Sequence, residues 1–221
     1  MHAIIMNTIQ FFLKFGQTGH LDQLHKKGRI YINNAHFFKQ ESSHGRFDVT
    51  EGRQTIIHAK DFILNVKAPE EKDWKKLKAK TGLIENYINI DRVFIYCLFC
   101  ILATETKETP RFELTNEIKE MGESYLLIKN SREFMRRIVL GLNQNNYRHE
   151  YDIVNYYNPE SDQQKLGLFY KQEKFNYQKE FRILVESDPA KHIQFDIGSL
   201  EDISEICPTN KFKGFDFVWE E

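Results

Sequence analysis

The chain has 221 residues, 41% of them hydrophobic and 14% aromatic, with 18 Phe and 10 Tyr against 11 Gly and 5 Pro. This composition supplies a sizeable core, excludes a disordered chain and suits a single domain over residues 1–221. The net charge of −1 excludes a chain drawn as a whole onto nucleic acid or an acidic membrane, so any such contact has to be local.

Met1 to Asn7 lacks a basic start and a small-residue cleavage site, and the expectation is a cytoplasmic protein. Residues 9–15 read as a first strand broken by Gly16. Thr18 can cap the helix that follows, which carries Leu21 and Leu24 on one face and stops at Gly28, the residue type favoured just past a helix end. Arg29 to Asn33 reads as a second strand, with Ile30 and Ile32 on one side and Tyr31 on the other.

Residues 34–55 are polar and loop-like, and loops of this length are more often functional than not. His36, His44, Asp48, Glu51 and His58 fall at no recognised metal-ligand spacing, so an anion-facing loop built on Arg46 and Arg53 is the better reading. Residues 56–66 form a further strand or hairpin. The stretch 72–80 carries five lysines against Asp73, a local charge of +4 around Trp74 and Leu77. It reads as a solvated helix face, or more sharply as a phosphate contact with Trp74 available for stacking.

Val93 to Leu102 is almost wholly apolar, as expected of a strand covered on both faces. At about ten residues it is too short to span a bilayer as a helix. Cys97 and Cys100 fall inside it and read as buried free thiols. Residues 103–113 form a polar connection through Pro110. Thr115 can cap a short helix, 124–128 is a strand, and Ser131 can cap an amphipathic helix with Phe134, Ile138 and Leu142 on its apolar stripe. Strands follow at 151–157 and 192–197. A capping box of Ser199 and Asp202 predicts a last helix ended by Pro208. The fold class is α+β.

The stretch Tyr177 to Val185 is the focus of the chain. Read as one strand, it puts Phe181, Ile183 and Val185 on a core-facing row and Gln178, Glu180 and Arg182 on the other, which is expected to line a cleft. Glu180 is the candidate reacting group. A glycosidic carbon leaves through an oxocarbenium-like state that a carboxylate stabilises, and ordinary glycosidases use two carboxylates. A single glutamate suits a substrate whose leaving group departs neutral, such as the nicotinamide of NAD, given aromatic stacking and a cation for the pyrophosphate.

Phe15-Gly16, His20-Leu21, Leu24 and Gly28-Arg29-Ile30-Tyr31, followed far downstream by Tyr177-Gln178-Lys179-Glu180-Phe181-Arg182, resemble bacterial proteins of the ADP-ribosyltransferase-like fold. Many of these are toxins or phage-defence effectors, and the CmdT-type mRNA ADP-ribosyltransferases of toxin–antitoxin–chaperone systems are one home. The resemblance implies a split β-sheet core with short helices and NAD as substrate. The acceptor it implies is RNA or protein, and an antitoxin is an implied partner. It makes Glu180 the catalytic glutamate, Gln178 the acceptor-positioning residue and Tyr31 the residue at the nicotinamide end. Lys14, Tyr31, Arg53, Tyr177 and Arg182 form the implied cofactor-binding set. The family's first strand supplies a His or Arg, where this chain has only Lys14, and no Ser-Thr-Ser-like motif follows. An inactive binding module of the same fold is therefore the rival expectation. A nuclease toxin using His36, His44 and Asp48 is the third.

Overall fold

A computed structural model describes residues 8–40, 48–70, 72–108, 111–163, 165–212 and 214–217. In chain order the elements are β1 (Ile9–Gly16), α1 (Thr18–Lys27), β2 (Arg29–Asn34), α2 (Ala35–Gln40), β3 (Arg53–Val66), β4 (Lys75–Tyr87), β5 (Val93–Leu102), α3 (Ala103–Glu108), β6 (Arg111–Phe112) and α4 (Asn116–Lys119). They continue with β7 (Ser124–Ile128), α5 (Ser131–Gln144), β8 (Arg148–Ile153), β9 (Asn155–Tyr157), β10 (Tyr170–Gln172), β11 (Glu180–Glu186), β12 (His192–Asp196), β13 (Ser204–Pro208) and β14 (Phe215–Asp216). The architecture is α+β and dominated by an eight-stranded sheet.

The apolar run 93–102 becomes β5 and lies at the centre of that sheet. β11 pairs along one edge of β5, from Glu180 opposite Phe99 to Glu186 opposite Val93. The other edge is shared. β1 takes Phe99 to Leu102 and β2 takes Phe94 and Ile95, so the sheet splits alongside Tyr96, Cys97 and Leu98. One face carries Phe12, Ile30, Ile32, Phe94, Leu98, Phe181 and Ile183, packed under Leu21 and Leu24 of α1 and Phe134, Ile138 and Leu142 of α5. Fully burying each such side chain contributes roughly 1.5–3 kcal/mol, which is what fixes the register of β11.

Local signals explain several element ends. Gly28 terminates α1 with φ 65°, and a Cβ there would lie 1.9 Å from the Gly198 carbonyl oxygen. Thr115 caps α4 by accepting from the Ile118 amide. The cap of α5 is Asn130, whose side chain accepts from the Glu133 amide, while Ser131 Oγ donates to the Ile9 carbonyl at 3.0 Å. Gln17 precedes α1, and Thr18 instead shares a hydrogen bond with Ser124 Oγ at 2.8 Å.

Five segments depart from the sequence-based expectations. The supposed strand 177–185 starts only at Glu180, because Glu173–Gln178 forms a 3-10 turn and Lys179 adopts the left-handed conformation with φ 40°. The lysine-rich stretch is not a helix face. It is the first part of β4, paired with β3 in a long two-stranded ribbon. Residues 199–206 form a turn leading into β13, since Asp202 is held by Arg137 and Ser199 Oγ binds Glu201 instead of capping a helix. The polar stretches 34–55 and 103–113 each contain a short helix.

Candidate functional site

Strand alternation on β11 puts Glu180, Arg182 and Leu184 on the face opposite the helices, level with Phe99, Cys97 and Ile95 of β5. Apolar clusters flank this stretch on both sides. One is built on Phe11, Leu13, Phe99 and Ile118, and the other on Ala35, Ile90, Ile95 and Leu184. Between them lies a buried charged cluster. Arg182 Nε donates to Glu180 Oε1 at 2.5 Å, and its two Nη atoms donate to the two carboxylate oxygens of Glu51 at 2.8 and 2.9 Å. Nη1 also donates to the Leu168 carbonyl. Lys171 of β10 donates to Glu180 Oε2 at 3.1 Å and to Gln178 Oε1 at 2.7 Å.

Gln178 reaches this cluster although it is not on the strand. The left-handed turn at Lys179 folds the 3-10 segment back, so Lys171 bridges Gln178 and Glu180, and Gln178 Nε2 donates to the Tyr177 hydroxyl at 3.4 Å. The convergence expected of Gln178, Glu180 and Arg182 is therefore present in space, but through a turn and a lysine. Among the described residues this face is enclosed and does not form the open cleft expected. Gln178, Glu180 and Arg182 are 5%, 4% and 1% exposed. A shallow cavity lined by Glu133, Arg137, Leu140 and Gly198 lies on the α5 side of the sheet, away from Glu180.

Burial alone would push the Glu180 carboxyl up. Arg182 and Lys171 outweigh that and hold it well below the usual carboxylate range. For Glu51 the balance is reversed: burial dominates and raises its carboxyl despite the bidentate contact with Arg182. Asp48, also buried, adds a third carboxylate next to Glu51 and accepts from the Thr50 amide and hydroxyl. Glu180, Glu51 and Asp48 thus gather around Arg182 and Lys171 in one buried cluster. Burial and then Glu180 also raise the Cys97 thiol, and Cys100 is pushed up to about 12 by burial, so neither is a thiolate nucleophile.

The remaining candidates sit around this cluster. Tyr31 shares its sheet face, because Asn33 pairs with Ile95 and Ile95 with Leu184. β2 and β11 both run antiparallel to β5, which puts Tyr31 level with Arg182 two strands away, at least roughly 10 Å. Tyr31 is 44% exposed and stacks on His192 with ring centroids 4.4 Å apart. Arg53 sits beyond Glu51 and binds Glu85, the Tyr157 hydroxyl at 3.1 Å and the Tyr87 hydroxyl at 3.5 Å. The neighbouring Tyr156 hydroxyl accepts from the Glu180 amide at 3.0 Å. Lys14 is the misplaced member. It pairs with Leu126 on the helix-packed face, and its ammonium lies in the split, 2.7 Å from the Cys97 carbonyl and over the Tyr96 ring.

Among the described residues no group of three or more His, Cys, Asp or Glu is placed to hold a metal ion. His36 pairs with Asp91 at 2.7 Å, Asp48 is buried, and His44 and Arg46 lie outside the described residues. No described helix is long and apolar enough to cross a membrane. The sequence reading passed over Lys171, whose short strand carries no pattern. It passed over Glu51 as an ion-pair partner, although Asp48-x-x-Glu51-Gly52 just before Arg53 is a dense polar signal. Comparison with protein-family models, curated proteins and solved structures finds no match, so the functional reading rests on geometry and residue chemistry.

Proposed function

We propose that the protein is an NAD-dependent ADP-ribosyltransferase of the split-sheet type, with Glu180 as the catalytic carboxylate and RNA or a protein as acceptor. The observation that carries this reading is the pairing of Glu180 with Arg182 and Lys171 on the sheet face opposite the helices. These cations keep Glu180 ionised, and an ionised carboxylate suits the positive glycosyl carbon formed as nicotinamide departs. Tyr31 offers an exposed ring on the same face for the nicotinamide end. Gln178 stands beside Glu180 through Lys171, in the place from which an acceptor is oriented. Because Glu180 is buried and held by Lys171 and Arg182, turnover requires that these contacts open when substrate binds.

A second reading, a nucleotide- or partner-binding module of the same fold without turnover, is favoured by one observation. Both Glu180 carboxylate oxygens are already engaged, by Arg182 and Lys171. Incubation with NAD labelled in the adenylate half, with and without RNA, DNA and protein extract, separates the two. Label transfer or nicotinamide release, lost in Glu180→Gln with the near-ultraviolet circular dichroism retained, supports the transferase. Nucleotide binding without either reaction sinks it and leaves the module.

A further inference from the structure

The β3–β4 ribbon is joined to the body at its base. There Ile56 is buried with Tyr157 and Leu166, Ile56 bridges to Gln163, Arg53 pairs with Glu85 and His58 binds Asp162. Beyond Lys60 the two strands form a ladder with each other over about 20 Å. A two-stranded ribbon with both faces in water is marginal by itself. This one also exposes large apolar side chains, among them Ile63, Leu64 and Leu83, with Leu77 51% and Trp74 66% exposed.

Two rows run along β4. Lys76, Lys78 and Lys80 alternate onto one face, with Lys78 opposite Ile63 and Lys76 opposite Asn65. Leu77 and Ala79 lie on the other, opposite Leu64 and Phe62. Lysines along an open edge prevent two copies from adding edge to edge, because equal charges would face each other. The lysine row alone would suit phosphates, but the aliphatic row has no counterpart in a phosphate backbone.

We propose that the outer edge of β4 is the docking site for an acidic polypeptide segment that adds as a third strand. Its carboxylates alternate with apolar side chains, so that the first meet Lys76, Lys78 and Lys80 and the second cover Leu77 and Ala79. The edge amides and carbonyls supply the ladder bonds, and the two rows set both partner and register. This docking is independent of any chemistry at Glu180.

The test uses the full chain and a fluorescein-labelled peptide of alternating Glu and Val. Comparison probes are a peptide of the same composition with Glu and Val in pairs, and a single-stranded RNA oligonucleotide. Anisotropy reports binding, and amide hydrogen exchange reports protection of residues 75–81. The alternating peptide is expected to bind and to slow exchange in β4. Lys76→Glu/Lys78→Glu/Lys80→Glu should weaken it by about tenfold or more, and Leu77→Asn should also weaken it. All four positions are exposed, so an unchanged thermal midpoint separates these effects from unfolding. The proposal is overturned by equal binding of the paired-order peptide, by tighter binding of RNA that the lysine variant abolishes, or by no alternating-peptide binding at millimolar concentration.

Discussion

Arg182 and Glu51 form a two-pronged ion pair across 131 residues of chain, with both partners almost fully enclosed. The pair ties the turn before β3 to the middle of β11, and through Glu180 it extends to β10. Two buried charges gain little over a well-packed apolar pair, but leaving one alone is costly.

Glu51→Leu is therefore expected to lower the unfolding free energy by about 3–5 kcal/mol, because it strips Arg182 of its bidentate partner. Urea denaturation monitored by circular dichroism measures it. A loss below about 1 kcal/mol would mean that water or a rearranged carboxylate takes over from Glu51.

Glu180 and Glu51 predict opposite pH dependences. Glu180 has a lowered pKa in the fold, so its stabilisation is complete above the unfolded value of about 4.3 and is lost as pH falls from there toward the folded value. Glu51 is raised, so the folded chain holds its proton more readily, and stability declines as pH rises from the ordinary value through the raised one. Urea midpoints followed across acidic pH should show a shallower acid-side loss in Glu180→Gln. Glu51→Gln should flatten the decline on the other side. Unchanged acid-side behaviour in Glu180→Gln would place acid sensitivity in other carboxylates.

Gly28 is expected to be intolerant. It holds φ 65°, and any Cβ would meet the backbone of Gly198, which cannot yield as a flexible side chain does. The left-handed conformation alone costs an L-residue about 1–2 kcal/mol. Gly28→Ala should lose more than that, read as a fall in thermal midpoint. Gly19→Ala in the same helix meets nothing within 4 Å and should be neutral or slightly stabilising.

What the sequence made legible follows from period and punctuation. The apolar run 93–102, the alternation of 181–185, the i, i+4 stripe of α5 and the Gly28 stop all depend on neighbours in sequence, and all appear in the fold. The ribbon misled because alternating Lys and apolar residues over 76–80 carry a two-residue period that charge density obscured. The buried cluster was half legible. Gln178, Glu180 and Arg182 announce themselves on one short stretch, whereas Glu51 and Lys171 come from segments without a regular pattern. Only the sheet brings them to Arg182 and Glu180.

Sequence order and geometry assign Lys14 different roles. As the only cation of the first strand it was matched to the NAD-holding position. In the fold it pairs with Leu126 on the helix-packed face and serves the split, donating to the Cys97 carbonyl at 2.7 Å and covering Tyr96. Lys14→Met removes that donor and leaves the carbonyl seeking water, at a cost of about 1–3 kcal/mol. It leaves the Glu180 face untouched. Lys171→Met removes a cation from Glu180 itself. If the chain turns over NAD, Lys14→Met should lower stability with KM for NAD unchanged, whereas Lys171→Met should change NAD turnover directly. A raised KM in Lys14→Met at unaltered stability would instead place the cofactor in the split between β1 and β2, with Lys14 as one of its ligands.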